Sequence, residues 1–449
     1  MSRHRRRTFL KLSGGVLGGI FAGTTVTAAE RTDRFIVKTN GGGVPADLDV
    51  VHELPGVDFA VVADSEQAVR KSAAVTGYAA DLEVRLADPE VNQRSPDVEE
   101  AGVADEPLYP LQWDKQAQDI PAAHDVTKGE GTRVAIIDSG VYADHPDLDV
   151  NMELSRNFTD DGEGAGVPAG DDHGTHVAGT VAAVDNDEGV VGTAPATDLV
   201  DCRVFSYAPG ASFGDILAAV VYSAAIDADV ANLSLGAYPI PRQGQGSFYG
   251  KVLNSAMTYA NKQGTLLVIA AGNDAADLQR DKNFISLPNE GAQAVSVAAT
   301  GPIGFGWGDD GLDAPPESPS FFTNYGTNAI TLGAPGGDAD LSAIGSGVPW
   351  YNDLVLSTTA DVEYVYEDVD GDGEEEPVDY LGAEPTYGWK AGTSMAAPNV
   401  AGAAALVKSA NPDYNANQIE SALKQAADVP DGYDKTYYGS GFLNVVDAL

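Results

Sequence analysis

The chain has 449 residues, of which 67 are acidic and 26 are basic, so that its formal net charge is −41. This charge excludes nucleic-acid binding through a basic surface, and the 43% of hydrophobic residues can supply a sizeable core. The acidic surface has two explanations, ordinary solubility and adaptation to high salt, and the density of aspartate with little lysine favours high salt.

Residues 1–29 have the pattern of a secretory signal peptide. Arg6 and Arg7 precede an apolar run that begins at Leu12, and small residues near Ala28 suit a cleavage site. The paired arginines are typical of the twin-arginine type, which carries folded proteins. The alternative is a membrane anchor, but the run is short and rich in glycine, and no later stretch is apolar enough to span a bilayer. We therefore expect a secreted, extracellular protein.

Residues 30–104 are predicted to form a small α+β unit followed by an acidic linker. The segments DRFIVKTN and VDFAVVAD have the pattern of strands, and SEQAVRKSAAV has that of a helix. The stretch DPEVNQRSPDVEEAGVADEP is acidic and rich in turn-forming residues, as linkers are. A small removable unit ahead of a secreted catalytic domain is interpreted as a propeptide, and a permanent accessory domain is the alternative.

From residue 105 to residue 449, short apolar strands alternate with helices, which predicts an α/β domain with a mostly parallel central sheet flanked by helices. The strand RVAIID ends at Asp138, and an Ala-rich helix begins at His173. The strand LLVIAAGN ends at Asn273, and Ser394 begins a helix of small residues. Because α/β sheets bind their ligands at the carboxyl ends of strands, Asp138 stands where a functional carboxylate is expected.

Four motifs in this order, DSGVYADHPDL, HGTHVAGT, AAGN and GTSMAAP, resemble those of the subtilisin-like serine proteases, and the acidic secreted chain resembles the halolysin type of salt-loving microbes. Four motifs together are far more specific than one. The resemblance covers about residues 105–449. It implies a subtilisin-like fold and a serine endopeptidase that works through an acyl-enzyme intermediate.

The resemblance assigns a role to each of four residues. Ser394 would be the nucleophile, His173 the general base and then the general acid, and Asp138 the group that orients the imidazole. The side-chain amide of Asn273 and the backbone N–H of Ser394 would stabilise the oxyanion. Each residue alone has a structural explanation, such as a strand-end cap for Asp138, but the four together are better explained by catalysis.

The segments NLSLG and AAGN are similar to the family's two walls of the first specificity pocket, and such an edge can bind an extended peptide. No charge is obvious there, so we expect a preference for large apolar side chains. The predicted substrate-binding residues are Ser234, Leu235, Gly236, Ala271, Gly272 and Ser286.

The loop VAAVDNDEGVVGTAP resembles the family loop that binds a structural calcium ion after the histidine helix, and its oxygen ligands suit calcium. The matching ligands are Asp147, Val184, Asn186, Glu188 and Val190. Asp105 or Glu106, at the start of the mature chain, is expected to complete the set. An acidic surface loop is the alternative.

Two insertions, near 301–320 and 337–388, lengthen the segment between Asn273 and Ser394. The second contains DVDGDGEEEPVD, whose spacing matches an EF-hand loop with Asp368, Asp370, Asp372 and Asp379 as calcium ligands. Asp379 stands where an EF-hand usually has Glu, and no helices obviously flank the loop. An accident of the acidic composition is therefore an equal alternative.

Three functions fit parts of the pattern. A catalytically silent binding protein would be expected to lose one of the four residues, and all are present. A lipase or esterase would place its serine in a G-x-S-x-G elbow ahead of Asp and His, which this order contradicts.

The sequence therefore predicts a monomeric endopeptidase for protein or peptide substrates, with its propeptide as a transient inhibitor and with calcium but no organic cofactor. No nucleic acid and no membrane are expected as partners after the leader is cleaved.

Overall fold

The computed structural model describes residues 3–5, 30–41, 43–84, 89, 91–94, 106–207, 211–242, 246–308, 310–368 and 375–449. Apart from the short strand β1 (Arg3–Arg5), the predicted leader up to residue 29 lies outside the described residues, and so does most of the predicted linker. No helix in these described ranges is both long enough and apolar enough to cross a membrane.

The N-terminal unit is an antiparallel sheet with one helix, as predicted. Its strands pair in the order β5-β2-β4-β3. Ser65 accepts the N–H of Ala68 and so caps the helix, which ends before β5 begins. The elements are β2 (Glu30–Thr39), β3 (Val50–Leu54), β4 (Phe59–Ala63), α1 (Glu66–Lys71) and β5 (Val75–Val84). A further short strand, β6 (Asn92–Arg94), lies in the stretch predicted as a linker.

The remainder of the chain forms one α/β domain, and 3₁₀ turns at Tyr109–Leu111 and Trp350–Asp353 supplement its helices. The first half contains α2 (Trp113–Ala117), α3 (Ile120–His124), β7 (Arg133–Asp138), β8 (Arg156–Asn157), α4 (His173–Ala182), β9 (Asp198–Arg203), β10 (Ala211–Ser212), α5 (Phe213–Ala225), β11 (Val230–Leu233), β12 (Ala237–Pro241) and α6 (Gly246–Gln263). The second half contains β13 (Leu266–Ala270), β14 (Phe284–Leu287), β15 (Ala294–Thr300), β16 (Leu332–Pro335), β17 (Val355–Glu367), β18 (Glu376–Lys390), α7 (Thr393–Ala410), α8 (Ala416–Ala426), α9 (Lys435–Tyr438) and α10 (Val445–Ala448).

Seven parallel strands form the central sheet, in the order β16-β15-β13-β11-β7-β9-β8. Successive residues of a strand point to opposite faces, so β7 sends Val134 and Ile136 into the layer that contains α4 and α7. Ala135 and Ile137 point into the layer that contains α5 and α6. Because both faces are covered, the strands are apolar throughout, and the predicted α/β fold class is confirmed.

The N-terminal unit packs against α5 and α6, so that its apolar face shares one core with the second helical layer. Polar contacts fix the orientation of the two parts. Asp81 Oδ1 accepts the N–H of Gly214 at 2.9 Å, in the first turn of α5. Arg34 bridges Asp81 and Asp215, and Nε2 of His52 lies 2.7 Å from Oδ1 of Asp215.

The second predicted insertion contains a long antiparallel ribbon, formed by β17 and β18, that ends just before Ser394. The two strands pair from Val355 opposite Lys390 to Glu367 opposite Glu376. The ribbon continues on both sides, because β1 pairs with β17 and β6 pairs with β18. Tyr142 and Tyr207 pack in one cluster with three tyrosines of the ribbon, which are Tyr364, Tyr366 and Tyr380. The insertion is therefore a well-packed extension of the domain edge.

Candidate active site

Asp138 and His173 meet at the carboxyl edge of the central sheet. Asp138 is the last residue of β7 and His173 is the first residue of α4, and both are almost fully buried. Oδ1 of Asp138 lies 2.7 Å from Nδ1 of His173 and accepts the N–H of Ser139 at 2.7 Å. A carboxylate at Nδ1 keeps that nitrogen protonated, so that Nε2 is the ring nitrogen that can accept a proton.

The turn after β7 sets the distance between these two residues. Ser139 Oγ accepts the N–H of Gly174 at 2.8 Å, which joins the strand end to the first turn of α4. Gly140 has a φ of +107°, and a Cβ there would collide with the carbonyl oxygen of Val167. The glycine is therefore required for the close approach of the turn after β7 and the loop that contains Val167.

Ser394 reaches the same edge at the start of α7. Its Oγ donates to the backbone oxygen of Ser234 at 3.3 Å, and Ser234 Oγ donates to the backbone oxygen of Ser394 at 2.7 Å. Ser234 directly follows β11, the neighbour of β7 in the sheet, and Asn232 donates to Ser234 Oγ at 2.9 Å. These bonds tie the first turn of α7 to the sheet edge that carries Asp138.

Asn273 is held by Thr393, the residue before Ser394. Oδ1 of Asn273 accepts both the N–H and the hydroxyl of Thr393, each at 2.9 Å. The same hydroxyl accepts the N–H of Gly272 at 3.0 Å. Because its oxygen accepts these bonds, the amide of Asn273 can present only its Nδ2 hydrogens to a ligand.

Two N–H donors converge beside Gly392. A Cβ atom built on Gly392 would lie 3.5 Å from Nδ2 of Asn273 and 3.5 Å from the backbone nitrogen of Ser394. Two donors this close to one point beside Ser394 can stabilise an oxyanion formed by attack of its hydroxyl. The Cδ of Pro89, from the N-terminal segment, lies 3.6 Å from the same point.

Two of the predicted substrate-binding residues, Ser234 and Gly272, bond to the first turn of α7. Ser234 and Leu235 are buried, and Gly236 leads into β12. Ala271 and Gly272 follow β13. Ser286 lies in β14, which pairs with β12.

A charged pair lies next to Ser286, where the sequence indicated no obvious charge. Glu290 accepts the Ser286 N–H at 2.6 Å and pairs with Arg242 at 2.7 Å. The preference for large apolar side chains stays a prediction.

Sequence reasoning missed two further groups at the site. Asn324 donates to the Ala271 oxygen at 2.9 Å and accepts the N–H groups of Asp274 and Ala276, so it braces the loop that carries Asn273. Lys390 Nζ lies 3.1 Å from Oδ1 of Asp172, the residue before His173. Neither residue belongs to a recognisable motif. The role of each depends on a contact with a residue that is distant in the sequence, and such a contact has no local signal.

Most of the predicted calcium ligands lie together. Oδ2 of the buried Asp147 accepts the N–H of Val190 at 3.0 Å and the hydroxyl of Tyr387 at 2.9 Å. The Asp147 backbone oxygen accepts the N–H of Val184 at 2.9 Å.

The N-terminal end of the domain also contacts this loop. Oε1 of Glu106 accepts the N–H of Asn186 at 2.7 Å, so Glu106 reaches the loop, whereas Asp105 lies outside the described residues. Glu188 is exposed and donates its N–H to Asn186 Oδ1 at 2.9 Å.

The two carboxyl groups of this loop each keep a buried oxygen. Oδ1 of Asp147 and Oε2 of Glu106 accept no hydrogen bond of normal geometry from the described residues. Burial raises the pKa of Glu106 to about 7 and that of Asp147 to about 6. The hydrogen bonds that both carboxyl groups accept from backbone N–H groups lower these pKa values, but burial has the larger effect. Buried carboxylates with an unused oxygen fit a hard cation such as calcium.

The second predicted calcium loop is described only at its ends. Asp368 follows β17, and Asp370 and Asp372 lie outside the described residues. Asp379 is exposed within β18, opposite Val365. Strands flank this loop where an EF-hand has helices, and calcium binding there stays a prediction.

Comparisons with known proteins indicate the family of the chain. The sequence matches the Subtilase family over residues 129–441. It is 32% identical over 337 residues to Subtilisin Savinase of Lederbergia lenta, a match that covers 74% of this chain and 96% of that protein. It is 31% identical over 368 residues to a protein of Xanthomonas campestris named extracellular protease, a match that covers 74% of this chain and 53% of that protein. A solved structure of proteases from Pseudoalteromonas arctica is 28% identical, has a TM-score of 0.58, and covers 77% of this chain and 98% of that chain.

The matched region includes the central sheet and all four residues of the site, Asp138, His173, Asn273 and Ser394. The chain therefore belongs to the subtilase family, and it is a serine endopeptidase.

Proposed function

We propose that the protein is a secreted endopeptidase whose reaction is carried by Asp138, His173 and Ser394. The observation that carries the proposal is the buried 2.7 Å contact between Asp138 and His173, at the same sheet edge as Ser394. Secretion is supported by the signal-peptide pattern of residues 1–29 and by the name of the Xanthomonas relative.

The reaction proceeds in two halves. Ser394 Oγ attacks the carbonyl carbon of the scissile bond while Nε2 of His173 takes its proton. Asp138 keeps Nδ1 protonated and stabilises the imidazolium, which then gives its proton to the leaving amine. Water repeats these steps on the acyl-enzyme and releases the second product.

Stabilisation of the oxyanion falls to Asn273 Nδ2 and the Ser394 N–H. Both nitrogens lie 3.5 Å from one point beside Gly392, and the bonds from Thr393 hold the Asn273 amide in place. Donors that are oriented before the reaction need no rearrangement when charge develops, and this makes them effective.

The N-terminal unit is proposed as a transient inhibitor that precedes the mature enzyme. Its sheet packs on α5 and α6, its Pro89 lies beside the two oxyanion donors, and β6 pairs with the ribbon next to Ser394. A chain that crosses the site in this way excludes substrate until it is removed.

The function is tested with a fluorophosphonate, which reacts with activated serines. The purified protein is expected to cleave casein at internal bonds, to lose this activity on treatment, and to carry the label on Ser394 when its peptides are analysed by mass spectrometry. Heat-unfolded protein serves as the control and is expected to stay unlabelled. Cleavage that persists in fully labelled protein, or a label on another serine, would contradict the proposal.

A structural calcium ion is proposed at the Asp147 loop. The carboxyl groups of Asp147 and Glu106 would hold it, with oxygens of Val184, Asn186 and Val190. Within the described ranges no group of three or more His, Cys, Asp or Glu side chains is poised for a metal, so backbone and amide oxygens must contribute. The cation would compensate two buried negative charges and so stabilise the fold.

Adaptation to high salt is proposed from the charge of −41. At about 0.01 M ionic strength the Debye length is about 30 Å, so carboxylates repel one another across much of a domain. At about 1 M it is about 3 Å, and only close neighbours interact. Repulsion without screening favours expansion of the chain.

One inactivation experiment separates the effects of calcium and salt. In high salt, a calcium chelator is expected to shorten the half-life of activity at elevated temperature. In low salt with ample calcium, activity and near-UV circular dichroism are expected to decline together. An unchanged half-life in chelator would remove the calcium proposal. Full activity and dichroism after hours in low salt would leave solubility as the explanation of the acidic surface.

A further inference from the structure

The ribbon of β17 and β18 is acidic on one face. Asp361 and Glu363 stand two residues apart in β17, and Val362 between them is buried in the tyrosine cluster on the other face. The neighbouring strand β18 places Glu384 opposite Asp361. Because residues directly opposite each other in an antiparallel pair share a face, both strands contribute carboxylates to this surface.

Basic residues are scarce on the ribbon itself. The two strands contain a single basic residue, Lys390, and its ammonium pairs with Asp172 at the base of the ribbon. The carboxylates of β18 farther from the site, Asp379 and Glu384, are exposed. The acidic face of the ribbon therefore attracts basic groups that come from elsewhere.

The outer edge of β17 presents backbone groups beside these carboxylates. The backbone oxygen of Val355 accepts a hydrogen bond from Nε2 of His176 in α4, so the backbone of Val355 faces away from β18. The two strands keep a regular register from Val355 to Glu363. In an antiparallel pair the direction of the backbone groups alternates, so the N–H and C=O of Asp361 and Glu363 also face this outer edge.

A basic segment of the chain itself lies on this edge. The strand β1 pairs antiparallel with β17, and the register places Arg5 opposite Glu363 and Arg3 opposite Val365. Because the backbone of Glu363 faces outward, the Arg5 position is one that can exchange both backbone bonds with it. Opposite charges at directly opposed positions stabilise such a pair of strands.

The same edge is left without a strand when the leader is removed, since β1 belongs to the predicted leader. Within the described parts of the chain, the partners of β17 are β18 on one side and β1 on the other. An unpaired edge is a template for another strand. The carboxylates disfavour pairing with a second copy of this acidic ribbon and favour a basic strand.

We propose that the outer edge of β17, at residues 361–365, is a docking site for a basic, extended segment of a separate polypeptide, which joins the ribbon as an added strand. The occupant carries a basic residue at alternate positions, as β1 does with Arg3 and Arg5. The edge is remote from the chemistry, because Asp361 stands six residues beyond Val355, or about 20 Å along the strand. Binding there does not require catalysis, so its failure would leave the proposed endopeptidase function standing.

Peptide binding to the secreted, leader-free protein tests the inference. The protein is inactivated with the fluorophosphonate and kept at the lowest salt that preserves its near-UV dichroism, and fluorescence anisotropy measures its affinity for labelled SRHRRR, the sequence of residues 2–7. This peptide is expected to bind at least about 10-fold more tightly than a version with glutamate in place of each arginine. The chain that retains its leader is expected to bind it at least about 10-fold more weakly, because β1 fills the edge. Equal affinities in either comparison would overturn the inference.

A matched pair of variants separates this edge from general attraction to an acidic protein. Asp361→Asn combined with Glu363→Gln removes two charges from the edge and is expected to weaken binding by at least about 5-fold. Asp413→Asn combined with Asp431→Asn removes the same charge at exposed positions outside the ribbon and is expected to have little effect. Equal losses in the two variants would show that the acidic surface as a whole attracts the peptide, and would overturn the inference.

N-methylated peptides test strand pairing without any change to the protein. A methyl group on the residue that matches Arg5 removes the N–H that would bond to Glu363, and it is expected to weaken binding by at least about 5-fold. A methyl group on the residue that matches His4 lies on the N–H that points away from β17, and it is expected to have little effect. Equal effects of the two methyl groups would overturn the inference.

Discussion

Replacement of Ser394 with alanine is expected to abolish proteolysis, with a loss of about 10⁶-fold in kcat. In the proposed mechanism the substitution removes the nucleophile that forms the acyl-enzyme, and His173 and Asp138 would then have no hydroxyl to activate. The fold is expected to persist, because the bond that the hydroxyl makes within the described residues, to the Ser234 oxygen, is long at 3.3 Å. The measurement is the rate of casein cleavage together with the melting temperature.

A matched control is Ser255→Ala on α6, where the hydroxyl donates to the backbone oxygen of Lys251 at the surface. This variant is expected to retain full activity. If maturation is autocatalytic, the Ser394→Ala precursor is also expected to keep residues 30–104, which gel electrophoresis can follow. A Ser394→Ala variant that digests casein at the parent rate would remove Ser394 from the mechanism.

Replacement of Asn273 with alanine is expected to lower kcat by about 10²- to 10³-fold, the usual effect of removing one oxyanion donor. The physical reason is the loss of Nδ2 from the point beside Gly392 that it shares with the Ser394 N–H. KM is expected to change little, because the bond is stronger to the transition state than to the substrate. Steady-state kinetics on one peptide substrate measures both constants.

Alanine at this position also removes the acceptor for the Thr393 N–H and hydroxyl, so a second variant is needed. Asn273→Asp keeps an oxygen for Thr393 but supplies no N–H, and its carboxylate repels the developing oxyanion. It is expected to lose at least as much activity as Asn273→Ala while retaining the melting temperature more closely. Unchanged kcat in both variants would mean that Asn273 is only a turn residue.

The central fold could be predicted because its signals are local. Each parallel strand is a short apolar run covered on both faces, as in Arg133–Asp138, and each helix follows at once with its own pattern. Glycine turns beside Asp138, His173 and Ser394 marked the strand and helix ends at which polar groups meet. The family motifs then indicated which polar groups belong together.

The contacts around the ribbon could not be predicted in the same way. The stretch 337–388 reads as an acidic insertion, yet much of it forms the paired strands β17 and β18 with tyrosines packed on one side. Part of the predicted linker, Asn92–Arg94, becomes a strand because β18 offers it an edge. Strand pairing between segments almost 300 residues apart has no local signal, since any extended segment can satisfy the backbone bonds.

The sequence by itself determined the α/β class, the edge of the sheet that carries the site, and the identity of Asp138, His173, Asn273 and Ser394 as the candidate residues. These depend on residue type and spacing within short segments. Only the tertiary structure decided that Thr393 orients the Asn273 amide, that Glu106 joins Asp147, and that β18 leads from the site. These features depend on which distant groups come within hydrogen-bond distance, and the packing of the whole core sets that distance.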